Sequence, residues 1–134
     1  MTKDNTKLAP LSLKAAFEDE RMRRDAARRA REDAERRQQE EDLARAEELE
    51  TALRSEAGFL AEHELTLDRR RYTVSLDHAD FRVAAYFEAG RASVTSADKR
   101  TAHPGATAPR KQESVETVAD ALRVMAQYLA DETC

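Results

Sequence analysis

The side chains best suited to chemistry are scattered. Asp77-His78-Ala79-Asp80 sets two carboxylates and an imidazole within four residues, the oxygen and nitrogen donors a transition metal takes. Two acids beside a histidine in a short polar stretch also describe a hydrated turn, so no metal ligand is assigned there and no cofactor is expected. His63 and His103 stand alone, and Cys134 has no second cysteine to pair with. Three separated glycines leave no phosphate-binding loop. Residues 18–42 carry so many carboxylates that none stands out as an acid or base, and no nucleophile motif is present. With no catalytic residue assigned, the sequence is read as that of a non-enzymatic protein.

Arginine is the exception to this scatter. Arg21, Arg23, Arg24, Arg28, Arg29, Arg31, Arg36 and Arg37 stand against four acids over residues 21–37, a local net charge of +4. Residues 38–56 reverse the sign, with seven acids and two arginines, a net of −5. A basic stretch beside an acidic one favours antiparallel self-pairing or docking on an acidic protein partner. The alternative is a nucleic-acid-associated regulator that places the same arginines on phosphates. Interleaved acids, the −4 net charge of the whole chain and the absence of aromatics from residues 21–37 weigh against it. Arg69-Arg70-Arg71 is a second basic spot, of the kind that keeps an exposed strand edge from pairing.

These arginines need a scaffold that spaces them, and the charge pattern predicts one. Residues 18–42 contain 18 charged residues and no Leu, Val or Phe. Acid-first pairs at i,i+4 recur as Asp19–Arg23, Glu20–Arg24, Asp25–Arg29, Glu32–Arg36, Asp33–Arg37, Glu41–Arg45 and Glu50–Arg54. Each contributes roughly 0.2–0.5 kcal/mol to an isolated helix. With many alanines alongside, they predict a helix over residues 12–57, about 70 Å long at 1.5 Å per residue. Ser12 is its expected N-cap. Gly58 is its expected left-handed stop, with Phe59 beyond touching Leu53. Residues 1–11 are expected to be a disordered tail.

From residue 63 the period falls to two. Leu65/Leu67, Tyr72/Val74/Leu76, Phe81/Val83/Ala85/Phe87 and Ala92/Val94 alternate as half-buried strands do, with turns at 77–80 and 88–90. Residues 97–112, with Pro104, Gly105 and Pro109, are expected to form a flexible loop. Val115, Val118, Ala119, Leu122, Met125, Ala126 and Leu129 then share a helical face, with Ser114 as N-cap. The expected fold is α+β. A long charged N-terminal helix precedes a module over 63–134, an antiparallel meander of three to four strands covered by an amphipathic helix.

Ile and Trp are absent, and Leu, Val and Phe together number 22, so the module's core is thin for a chain this short. Two sources of further apolar surface are available. One is the stripe Leu43, Ala46, Leu49, Leu53, Ala57 and Leu60 on the proximal helix. The other is a second copy, with residues 43–60 as a short coiled coil in which Leu43, Ala46, Leu49, Leu53 and Leu60 carry a homo-oligomer, most simply a dimer. Either heptad register puts a glutamate in the seam, which limits such a coiled coil to a short one. Residues 1–42 hold little apolar surface, so their removal is expected to leave the fold intact. No run of 18 apolar residues predicts a membrane span, and no leader opens the chain. Arg- and Ala-rich usage fits a GC-rich bacterial genome, and a single cysteine fits the cytoplasm. The function that follows is an oligomerising scaffold, adaptor or regulator that binds another protein through its charged helix.

Overall fold

The computed structural model describes residues 11–100 and 110–133. The elements are α1 (Leu13–Arg54), α2 (Ala57–Glu62), five strands and a last helix, α3 (Val118–Thr133). The strands are β1 (Thr66–Arg70), β2 (Thr73–Asp77), β3 (Phe81–Glu88), β4 (Arg91–Asp98) and β5 (Arg110–Val115). All five form one antiparallel sheet in the order β1-β2-β3-β4-β5. The α+β class and its long N-terminal helix are as the sequence implies, with one strand more. The chain divides into two compact units between Arg36 and Arg37.

The first unit is helical from Leu13 onward. Ser12 caps it, its Oγ accepting the Ala15 N–H at 3.1 Å and so satisfying one of the free donors of the first turn. The charges pair along the surface, though partly with other partners than the i,i+4 spacing implies. Glu20–Arg24 forms at 3.0 Å, but Arg23 turns to Glu20 at 3.3 Å, Arg28 to Asp25 at 3.2 Å and Arg36 to Asp33 at 3.0 Å. Neighbours at i,i+3 and i,i+4 lie at similar distances on a helix, so the rotamer decides between them.

The second unit is built on the meander. In β3 burial alternates strictly, with Phe81, Val83, Ala85 and Phe87 inward, because successive side chains of a strand point to opposite faces. The register sets Leu76 beside Val83 and Val74 beside Ala85, and Val94 and Ala92 continue the inner face across β4. Ala46, Leu49 and Leu53 of α1, Leu60 of α2 and Ala121, Val124, Met125, Tyr128 and Leu129 of α3 complete a single core with it. The proximal part of α1 thus closes the thin core from within the chain.

Three expectations are corrected. Gly58 does not stop α1; it lies inside α2, with room around it for a side chain and no left-handed backbone. The chain instead turns at Ser55–Glu56, where the Glu56 N–H reaches back three residues to the Leu53 carbonyl at 3.0 Å. The left-handed stop falls at Glu64, φ 57°, after α2. There Leu65 N–H bonds the Leu60 carbonyl at 2.8 Å and Glu64 N–H the Ala61 carbonyl at 3.1 Å, the paired bonds of a Schellman turn.

Ser114 is not a helix cap either. It lies in β5, opposite Ser93, and Val115 ends that strand opposite Ala92. The cap of α3 is Thr117, whose Oγ1 accepts the Asp120 N–H at 3.0 Å. The buried face of α3 is correspondingly rotated, with Ala119 and Ala126 exposed and Ala121, Val124 and Tyr128 taking their place. The third correction concerns the loop: residues 97–98 belong to β4 and 110–112 to β5, while 101–109 lie outside the described residues. β5 shows no apolar alternation because it is an edge strand, held by its ladder to β4, with Val115 the one buried residue over 111–115. The tail expected over residues 1–11 lies outside the described residues except for Leu11.

Candidate interaction surfaces

The eight arginines of residues 21–37 are all exposed on α1. Arg21, Arg24, Arg28 and Arg31 recur at intervals of three, four and three residues, so they share one helical face. Arg23, Arg24, Arg28 and Arg36 pair with acids of the same helix, whereas Arg21, Arg29, Arg31 and Arg37 make no ion pair among the described residues. Hydrogen bonding from Arg24, then the nearby charge of Arg23, holds the Glu20 carboxyl below the usual glutamate range. This face is a row of cations with interleaved acids, able to meet an acidic surface.

The residues assigned to oligomerisation fare differently. Ala46, Leu49, Leu53 and Leu60 are 0%, 0%, 5% and 7% exposed, packed into the chain's own core, and Leu43 is half-buried. They are occupied by the sheet and α3, so a coiled-coil seam on that stripe would compete with the fold itself.

Asp42 completes this stripe at helical spacing, and it is the one charged residue buried there, 3% exposed. Its carboxylate accepts the N–H groups of Ala89 and Gly90 at 2.8 and 3.1 Å, and Gln38 Nε2 donates to it at 3.2 Å. Arg45, expected to pair with Glu41, instead donates to the Gly90 carbonyl at 3.0 Å. Ala89 and Gly90 have φ of 54° and 79°, the signature of the two-residue hairpin turn whose twist matches the flanking strands. One turn of α1 therefore clamps the β3–β4 hairpin. Glu50 adds a second tie, bonded to Arg69 of β1 at 2.5 Å and to Arg54. The Arg69 hydrogen bond, more than that from Arg54, lowers the Glu50 pKa against the opposing effect of burial.

An apolar groove of about 420 Å³ lies among the end of α1, α2 and α3, over Leu65 and Leu76. Leu53, Leu60, Leu122, Met125, Ala126 and Leu129 line it, with Glu56, His63 and Thr133 as its polar members. Phe59 stands on its rim, 45% exposed, its ring 4.6 Å from that of His63. The groove was not legible beforehand, because it forms only when three helical segments converge. A second apolar feature sits at the start of α1, where Leu11, Leu13 and Phe17 are 100%, 86% and 60% exposed.

The Asp77–Asp80 stretch is the turn between β2 and β3, and its polar atoms bond within it and to Lys99. His78 Nδ1 accepts the Asp80 N–H at 3.0 Å, its ring stacks on Phe81 at 4.6 Å, and Asp77 pairs with Lys99 at 2.8 Å. Among the described residues no cluster of three metal-ligating side chains occurs, and no helix is long and apolar enough to cross a membrane. No family model, curated protein or solved structure matches the chain.

Proposed function

We propose that this chain is a non-enzymatic protein–protein interaction module, an oligomerising scaffold or adaptor that engages an acidic partner through the arginine face of α1. The observation that carries the proposal is the exposed row Arg21, Arg24, Arg28 and Arg31, to which Arg29 and Arg37 add cations without an ion pair among the described residues. Long-range attraction of this kind steers encounter and sets specificity, while interleaved acids reject partners of the wrong pattern. The buried Asp42 supports a structural reading of the module, since both its oxygens are committed to the hairpin turn.

The test compares wild-type protein with the R21E/R24E/R28E/R31E variant as baits in its native host. A protein retained by the first and lost by the second is the expected result, with retention that weakens as salt rises. Anisotropy titrations on duplex DNA and single-stranded RNA at low and high salt accompany it. Binding with a steep salt slope that vanishes in the variant would replace this proposal with the phosphate-binding alternative.

A further inference from the structure

We infer that the apolar groove is a docking site for the first turns of α1 from a second copy of this chain, with Leu13 and Phe17 as the anchors. This rests on the reading of the chain as an oligomerising module and assigns it, in place of a coiled-coil seam along Leu43–Leu60, a groove that Leu53 and Leu60 of that stripe help to line. Single exposed apolar residues are ordinary. Leu11, Leu13 and Phe17 form a group, however, and between Phe17 and Leu43 Met22 is the only other large apolar side chain. Leu13 and Phe17 stand at i,i+4, so their side chains lie one above the other on one face. That is the pattern by which a helix seats in an apolar groove. The groove supplies the counterpart, and at about 420 Å³ it is of the size that takes up a pair of large apolar side chains.

Charge fits the same pairing. The groove's one carboxylate is Glu56, and no arginine or lysine lines it. Glu20 lies on that face too but is held by Arg23 and Arg24 of its own helix, whereas Lys14 and Arg21 lie beside the anchors, at i−3 and i+4 from Phe17. Neither these two cations nor Glu56 makes an ion pair among the described residues. Seating Phe17 beside Phe59 and Met125 therefore brings cations to the groove's acid, and it covers the exposed Phe59 ring. Each copy carries both anchor and groove, so two identical chains are sufficient for association.

The test uses the full chain. Sedimentation of the wild type over a dilution series should show mass rising with concentration. L13D/F17D and, separately, A126R should each weaken that association at least tenfold while keeping the wild-type melting temperature, since all three positions are exposed. Mixed in equal amounts, the two variants should recover a heavier species, because one brings an open groove and the other an intact anchor. A peptide of residues 11–24 should bind the L13D/F17D chain and not A126R. A wild type that stays monomeric at every concentration overturns both this docking and the oligomeric reading. Association that both variants leave unchanged, or a mixture that stays monomeric, overturns the docking alone.

Discussion

Asp42 and Gly90 are 48 residues apart in sequence, yet Asp42 Oδ1 accepts the Gly90 N–H at 3.1 Å while Oδ2 accepts that of Ala89 at 2.8 Å. The contact joins a helix to the tip of a hairpin through a buried carboxylate. Hydrogen bonds to a charged acceptor contribute about 1.5–3 kcal/mol. Asp42→Ala should therefore lower unfolding free energy by about 2 kcal/mol, and Asp42→Asn by about half that. Urea midpoints at constant m-value read the difference, and an Asp42→Ala midpoint equal to wild type would show that the bond does not matter.

Asp42 also revises where the chain can be cut. Deleting residues 1–36 removes only the first unit and should leave the melting temperature within a degree or two of the full chain. Deleting residues 1–42, which the sequence alone marks as dispensable, also removes Gln38 and Asp42 and should lower it by several degrees, consistent with about 2 kcal/mol in a domain of this size. Equal melting temperatures for the two truncations would sink this distinction.

Ala89 holds a left-handed φ of 54° in a turn that asparagine and glycine favour. Ala89→Asn should stabilise by about 0.5–1 kcal/mol. Gly90→Ala should do the opposite, because φ is 79° and the new Cβ would meet Gln38 Nε2 at 3.4 Å. Thermal melts of the pair are expected to shift in opposite directions.

Gly58 and Glu64 separate the observed helix stop from the one implied by glycine placement. If Gly58 were the left-handed stop, Gly58→Ala would destabilise. Inside α2, with nothing within 4 Å of the added Cβ, it should stabilise by about 0.5–1 kcal/mol. Glu64→Gly should stabilise by about 1 kcal/mol, by relieving a left-handed residue with a side chain. A destabilised Gly58→Ala protein would be incompatible with the helix described.

Glu50 gives the fold an acid sensitivity of known sign. Its folded pKa lies below 4.5, chiefly through Arg69, so the unfolded chain binds more protons in that range. The stabilisation is complete above the unfolded value and drains away as pH falls through the folded one. Urea midpoints at pH 7 and pH 3 should therefore diverge less for Glu50→Gln than for wild type. An identical acid loss in both would assign the effect to other carboxylates.

Much of this architecture is local and so was open to sequence reasoning. Alternating Phe81, Val83, Ala85 and Phe87 specify a strand with one buried face, and dense acid–arginine spacing with alanine specifies a helix, because each pattern acts over a few residues. The Ser12 cap and the hairpin turns belong to the same class. β5 escaped notice because an edge strand needs only backbone partners, and those come from β4.

What the tertiary structure decided were the pairings between distant segments. A stripe of Ala46, Leu49 and Leu53 is equally suited to a second helix or to a sheet, and the sheet took it because its own inner face needed cover. Asp42, one turn before Ala46, gains its role only because the fold brings the free N–H groups of the Ala89-Gly90 turn to it. The arginines needed only a helix to be spaced along a face, whereas the groove beside Phe59 exists because α1, α2 and α3 converge over Leu65 and Leu76. Periodicity reports which face of an element is apolar; which neighbour covers it depends on the competition among all apolar faces of the folded chain.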